Sequence, residues 1–464
     1  MLKFVGLEDV FVFCNSIVVQ EVIMFCEMEY MYVSWCYRLY VYKLYDAESH
    51  SDSALEYLII FSEVTIVMDI RQLTLEDFDA RAELGMYAFQ YRKSAEELEK
   101  EKQVFKPERT WGIFEEEQLS AQLTLLPLQT YIHGQVFEMG GIAGVATWPE
   151  KRRQGLVAKL LDHTLQQMNE SGQSVSFLHP FHFPFYRKFG WETYIEYRKY
   201  TIPTSKLPAK VHVDGTVKRG IRDIEILNAI YEKYASSYNG TLVRDEERWE
   251  RKLAPASELF TAVYYNPQDQ PCGYVIYEIK EQKMNIKELV SLDERSRQAL
   301  WTFISNHDSM VTEVTVQAPI DDSLSYLLND PRVEQQIIPY FMARIVNVKT
   351  FLEQYPFTVG KVESLSIRVN DSTAEWNNGI WDVLINDEGK AKVSRREALP
   401  EGLQQDLWNH SDIDTDIQAL TAALMGYKRP LALCSWGKWK GKLEAVHIME
   451  SRIPFATTHL IDFF

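Results

Sequence analysis

The sequence predicts a mixed α/β and α+β protein in which one fold occurs twice and a smaller α+β domain follows. Three runs point to it. Between residues 111 and 172, alternating strands lead through a basic, glycine-bearing loop into an amphipathic helix. A similar series of strands, helix and strand recurs over residues 262–317. From Leu365 onward, short strands precede an apolar helix at residues 416–425.

The chain has 464 residues, with 49 basic against 66 acidic side chains and a net charge of −17. At roughly 100–200 residues per domain, that length holds about three domains, each able to bury a core. Negative charge opposes phosphate, so no nucleic-acid partner is expected, and cationic small molecules suit the chain better. The five cysteines (Cys14, Cys26, Cys36, Cys272, Cys434) form no C-x-x-C pair, which suits neither a disulfide framework nor zinc. A reducing, cytoplasmic setting is the expectation. No apolar run is long enough to span a membrane, and Glu8 and Asp9 interrupt any signal peptide.

Residues 1–67 differ from the rest. They carry a charge of −7, three of the cysteines, thirteen aromatics, no proline and one glycine, Gly6. Two readings stand: an added N-terminal domain or helical arm, or a leader preceding a start at Met68. The second is preferred, and no functional residue is expected before Met68. From there residues 69–74 form a strand. A helix opens at Leu75, with Thr74 as its cap and Asp77 three residues on.

The first domain is expected over residues 68–203. Residues 111–115, 119–131 and 137–147 alternate as antiparallel strands, with turns at 115–118 and at His133-Gly134. Gly155 then begins a helix with apolar Leu156, Leu160, Leu161, Leu165 and Met168, which stops at Gly172. A strand, a basic loop and a glycine at a helix start make an anion site. Backbone N–H groups and the helix dipole favour negative charge there, and Arg152 and Arg153 add to it. The next strand, 175–179, runs into Phe183-Pro-Phe-Tyr-Arg-Lys-Phe-Gly-Trp.

An R-x-x-G loop entering a helix, then a strand, then Y-x-x-x-G-[FW], resembles the GCN5-related N-acetyltransferase (GNAT) superfamily. Arg152 and Gly155 match its [RQ]-x-x-G-x-[GA] loop, while Val157 stands where a small residue is usual. The resemblance implies acetyl-CoA as co-substrate. Its pantetheine arm would pair with the backbone of Val145, Ala146 and Thr147 as an added strand. Its pyrophosphate would lie on Arg152, Arg153, Gln154, Gly155, Leu156, Val157 and Ala158. Tyr186 would protonate the departing thiolate. Phe181 and His182 would contribute main-chain groups near the thioester.

Residues 204–345 look like a second copy that has lost its chemistry. Laid over the first, the loop glycine is replaced by Ala299 or Leu300, and Asp330-Pro-Arg stands where the tyrosine motif belongs. Residues 346–464 resemble a sterol-carrier-like domain. This order matches the enhanced intracellular survival (Eis) family, which implies acetylation of amines on small polycationic acceptors such as aminoglycosides, polyamines or lysine side chains. It also implies a homohexamer, and a C-terminal carboxylate, here that of Phe464, acting as the base. The rival reading is a lipid-binding protein that uses the sterol-carrier-like domain, with the acetyltransferase folds as scaffold. His133, His179 and His182 lack the spacing of a metal site. Lys428-Arg429 and the lysines of 438–442 read as solvated faces.

Overall fold

The computed structural model describes residues 2–14, 17–30, 33–46, 69–254, 258–396 and 411–464. Before residue 47 the backbone forms β1 (Leu2–Cys14), β2 (Ile17–Tyr30) and β3 (Val33–Asp46), an antiparallel sheet in that order. These are strands, not a helical arm. Met68 lies outside the described residues.

The first copy runs β4 (Asp69–Gln72), α1 (Phe78–Phe89), α2 (Ala95–Val104), β5 (Thr110–Glu115), β6 (Gln118–Ile132), β7 (Gln135–Thr147), α3 (Leu156–Glu170), β8 (Val175–Leu178), α4 (Phe183–Arg187), β9 (Glu192–Thr193) and β10 (Glu196–Pro203). The second repeats that order: β11 (Thr216–Arg219), α5 (Ile224–Ala235), α6 (Glu246–Lys252), β12 (Phe260–Tyr265), β13 (Pro271–Lys280), β14 (Lys283–Ser291), α7 (Glu294–Ser305), β15 (Glu313–Pro319), α8 (Leu324–Leu327), β16 (Glu334–Pro339) and β17 (Met342–Ile345). The last region holds α9 (Val348–Gln354), β18 (Glu363–Asn370), β19 (Gly379–Ile385), β20 (Ala391–Arg395), β21 (Ile413–Asp416), α10 (Ile417–Leu424), α11 (Pro430–Ser435), β22 (Trp439–Gly441) and α12 (Leu443–Arg452). No helix among the described residues is long and apolar enough to cross a membrane.

The chain forms two compact units. The smaller comprises Met1–Thr124 and Gly144–Leu160, the larger Leu125–Ala143 and Leu161–Phe464. In the smaller unit β4 pairs antiparallel with β5, and β5 with β6. Leu73, Leu84, Phe114, Leu119 and Ala146 make its core. The helix expected from Leu75 begins instead at Phe78, with Asp77 at the N-cap position. Thr74 is not the cap. The Asp77 carboxylate turns back to accept from Thr74 N at 2.7 Å and Oγ1 at 2.9 Å, and it meets Arg71 at 2.7 Å. The Arg71 guanidinium holds its carboxyl down at about 2. A charged partner on the adjacent strand outcompetes the helix N–H groups for this side chain.

In the larger unit Met139–Ile142 of β7 runs parallel to Val175–Leu178 of β8. The second sheet has the order β11-β12-β13-β14-β15-β10-β16. β10, which precedes residue 204, thus lies in the second copy's sheet. β17, from the second copy, lies between β8 and β9. The two copies exchange their strands on either side of the boundaries read from the sequence. Burial explains the placements. All four residues of β17 are buried, as a central strand requires. Tyr200 and Ile202 of β10 enter the second copy's core with Val275, Leu300 and Val316.

The sterol-carrier-like region forms a sheet of order β20-β19-β18-β21-β22. α10, apolar except for Gln418 and Thr421, is buried along most of its length. Its core is continuous with Met139, Val175 and Phe177 of the first copy. Arg344 of β17, fully buried, ties the parts together. It donates to Asp371 at 2.6 Å and to the carbonyl of Phe189, just after α4.

Candidate active site

The expected phosphate loop lies in the smaller unit. Gly144 takes φ +59, which turns β7 before Val145, Ala146 and Thr147. Ala146 is buried in the core, and Val145 is half-buried. Thr147 Oγ1 is buried with no hydrogen-bond partner, a polar atom that a ligand backbone could satisfy. Trp148 anchors the loop by donating from Nε1 to the Leu119 carbonyl at 3.0 Å. Lys151 bonds the Glu115 carboxylate, which also accepts from Ser120 Oγ at 3.2 Å, and this pairing lowers the Glu115 pKa.

Arg152 and Arg153 behave differently. Both are exposed, and neither forms an ion pair among the described residues. Arg153 and Gly155 take left-handed backbone, φ 65 and φ 79. Two such residues so close turn consecutive N–H groups to one side, the geometry of an anion nest. The N–H groups of Arg153, Gln154, Gly155, Leu156 and Val157 donate to no backbone carbonyl among the described residues. A Cβ on Gly155 would meet nothing within 4 Å, so it is backbone conformation that calls for glycine here. Gln154 Nε2 braces the loop on the Glu150 carbonyl at 3.1 Å. Leu156 is buried, while Val157 and Ala158 are half-buried. Free N–H groups, two uncommitted guanidiniums and an open approach fit a pyrophosphate.

The second copy shows the loop removed. Only Leu292 and Asp293 separate β14 from α7, where residues 148–155 separate β7 from α3. Asp293 caps α7 itself, accepting from Ser296 N at 2.7 Å. The residue standing where Gly155 stands is therefore Asp293, not Ala299 or Leu300, which lie buried inside the helix. The short helix after β15 does carry a tyrosine, Tyr326, but it is 91% exposed.

Tyr186 lies in the larger unit. Tyr186 sits in α4, its ring 2% exposed. Phe181 and Phe185 pack edge-on to it at 5.3 and 5.2 Å between centroids. Burial raises its phenol pKa well above the usual value, so the hydroxyl is protonated at neutral pH. That hydroxyl bonds no described group, yet its oxygen is not among the sealed, unpartnered atoms. It is a buried ring with an available O–H. Its carbonyl accepts from Phe189 N at 3.0 Å and Trp191 N at 3.2 Å, which fixes the turn. Phe181 is 69% exposed, and the exposed His182 stands at the N-cap of α4.

The C-terminal tail is pinned in the same unit. Asp462 accepts from the fully buried Arg244 at 3.1 Å, and Arg244 forms a two-point pair with Glu288 at 2.9 and 2.8 Å. Tyr340 donates to the Asp462 carbonyl at 3.3 Å. The Phe464 ring lies 5.0 Å from that of Phe341 and rests on Gly141 of β7. No sequence pattern signals this network, because its members are far apart along the chain and each charge is ordinary by itself. The histidines serve packing and hydrogen bonding: His179 lies among Tyr340, Phe341 and Phe463, and His133 meets Tyr355 Oη at 2.7 Å. No group of three His, Cys, Asp or Glu placed to hold a metal occurs among the described residues.

Comparison with known proteins agrees with this architecture. Models described as "Acetyltransferase (GNAT) domain" match residues 69–194 and 240–345, and a "Sterol carrier protein domain" model matches residues 348–460. The chain belongs to the GCN5-related N-acetyltransferases, as an enzyme with two acetyltransferase domains and a C-terminal sterol-carrier-like domain. Its relatives make it one of the Eis type. N-acetyltransferase Eis of Mycobacterium tuberculosis is 24% identical over 340 residues, covering 68% of this chain and 78% of its own length. An uncharacterized N-acetyltransferase of Streptomyces griseus is 24% identical over 291 residues, 57% of this chain and 70% of its own. Among solved structures, a probable N-acyltransferase of unknown function from Enterococcus faecalis superposes with a TM-score of 0.79 at 29% identity, covering 86% of this chain and 99% of that one. Eis1 from Mycobacterium abscessus shares the fold, with a TM-score of 0.70 at 20% identity over 86% of this chain and all of its own.

Proposed function

We propose that the protein transfers acetyl from acetyl-CoA directly to amines of small polycationic acceptors, of the aminoglycoside, polyamine or lysine kind. The observation that carries this reading is the contrast between the copies. The first keeps an open, uncommitted anion loop and a buried tyrosine with an available O–H, and the second has closed the one and exposed the other.

Bound acetyl-CoA supplies an activated thioester carbonyl. Arg152, Arg153 and the N–H groups from Arg153 to Val157 hold its pyrophosphate, with Gln154 bracing the loop and Leu156 and Ala158 continuing it into α3. Val145, Ala146 and Thr147 offer strand edge to the pantetheine, and Phe181 and His182 offer main-chain groups near the thioester. The amine nitrogen forms its bond to the acetyl carbon as the C–S bond breaks. The nitrogen's proton goes to the Phe464 carboxylate, and the Tyr186 O–H protonates the leaving sulfur. The sterically seated Phe464 ring and the charge-paired Asp462 support a fixed terminus. In this reading the enzyme works in the cytoplasm as a homohexamer.

The test is release of free thiol from acetyl-CoA with a panel of polyamines, aminoglycosides and lysine peptides. Turnover is expected with wild type. Removal of Phe464 lowers kcat by about two orders of magnitude while acetyl-CoA binding persists. CoA binding without turnover on any amine overturns the proposal.

A further inference from the structure

The second copy has no phosphate loop between β14 and α7, yet an opening lies beside them. Parallel pairing of β14 with β15 covers Lys283–Ile286 and Glu313–Val316 and then ends, although β14 continues to Ser291 and β15 to Pro319. A cavity of about 210 Å³ lies between the diverging strand ends. That is somewhat larger than the ~150 Å³ cavity known to take a benzene ring.

Its lining is aromatic and acidic. Tyr234 and Tyr238 lie 4.9 Å apart by ring centroid, and the His459 ring packs 5.2 Å from Tyr238. Trp301, Asp321 and Asp322 complete the wall. Neither aspartate forms an ion pair among the described residues. Asp321 accepts only from Thr457 Oγ1 at 2.7 Å, and Asp322 from Leu324 N at 2.8 Å. Burial pushes the Asp322 carboxyl up, against the partial relief given by the Leu324 N–H, the Tyr200 hydroxyl and, more weakly, Arg297 and Arg198. Of the other charges facing the cavity, Glu288 pairs with Arg244 and Lys252, Lys287 with Glu278 at 2.6 Å, and Arg297 with Glu294 at 2.6 Å, which leaves Arg297 Nη1 buried without a hydrogen-bond partner.

His459 supplies an independent sign of a ligand. It is 5% exposed, lines the cavity, and its Nδ1 has no hydrogen-bond partner. A buried polar nitrogen left unmatched costs free energy that a ligand N–H or O–H would offset. An anion is disfavoured, since Asp293 already occupies the N-terminus of α7 and the two aspartates without an ion pair outweigh the one open Arg297 Nη1.

We propose that this cleft binds a small organic cation of the alkylammonium class, its charge set against Asp321, Asp322 and the tyrosine faces, with His459 meeting its polar N–H or O–H. The site is separate from acetyl transfer. It does, however, share a chain segment with it, because His459, Leu460 and Ile461 form part of the wall.

Choline is the probe of choice, since its quaternary nitrogen has no proton to lose and cannot be acetylated. Calorimetric titration of the full-length protein should give one site. The paired changes Asp321→Asn and Asp322→Asn should weaken binding about tenfold. The neutral carbon analogue of choline should not bind. In the wild-type protein, the imidazole resonances of His459 should shift as choline is added, a readout that does not depend on any variant folding. Absence of choline binding, equal binding of the neutral analogue, unaltered affinity in the double variant, or binding that leaves His459 unmoved would each overturn the assignment.

Discussion

The ring of Phe464 lies directly on Gly141. A Cβ built on Gly141 would come within 2.9 Å of Phe464 Cε2 and 2.7 Å of Leu128 Cδ1. β7 therefore receives the last residue of the chain on bare backbone. Gly141→Ala should cost about 1–3 kcal/mol as the added methyl is accommodated, read from urea unfolding. It should also displace the terminus, so kcat should fall more than the KM for acetyl-CoA changes. Unaltered kcat in a destabilised variant would separate the terminal carboxylate from catalysis.

Tyr186→Phe removes one oxygen that bonds no described group. Its thermal stability should stay at the wild-type value, since no hydrogen bond is broken. Turnover should drop by about two orders of magnitude with acetyl-CoA affinity retained. Full activity would assign protonation of the thiolate to water or another group.

Arg152 and Arg153 are exposed and form no ion pair among the described residues, so replacing both with alanine should leave the melting temperature within a degree or two of wild type, as is usual at such surface positions. The KM for acetyl-CoA should rise by about tenfold or more, and its dependence on salt should flatten. Dephospho-CoA inhibition should weaken in parallel, because the proposed contact is to the pyrophosphate. An unaltered KM would move the anion site elsewhere.

Burial holds His459 at about 4, below its ordinary value of about 6.5. It is therefore neutral in the folded protein near pH 7 and takes up a proton more readily once unfolded. The stability tied to this shift is fully present above about pH 6.5 and is lost as pH falls toward 4, at most about 3 kcal/mol. His133, also held at about 4 by burial, acts in the same direction. Denaturant unfolding at pH 7 and pH 4.5 should show the loss. His459→Gln should shrink it, and an identical pH profile in that variant would assign it to other groups.

The strands from β5 to β8 and the helix α3 are legible in the sequence because their signals are local. Alternation from Thr110 to Thr147 and the heptad-like leucines after Gly155 each report burial of one face. Tyr186 is found by its motif. What the sequence hides is long-range or competitive. Asp77 reads as part of a helix start, yet Arg71 takes its carboxylate. Arg244, Glu288 and Asp462 look like surface charges until folding buries them together. The second copy's closed loop is invisible while the equivalent of the loop glycine is sought at Ala299 or Leu300, inside the helix, instead of at Asp293. Nothing about β10 or β17 alone tells which sheet each enters, since edge and central strands are distinguished by neighbours rather than by composition.

The exchange of β10 and β17 has a temporal consequence. On the ribosome, the slot between β8 and β9 stays empty until residues 342–345 have emerged, long after the rest of the first copy has been made. Until then Tyr186 lacks the buried Arg344 that grips the end of its helix. A nascent chain halted anywhere before β17 should thus be an unfinished, chaperone-dependent species rather than a small working acetyltransferase. The first copy is therefore finished only after most of the second has been made.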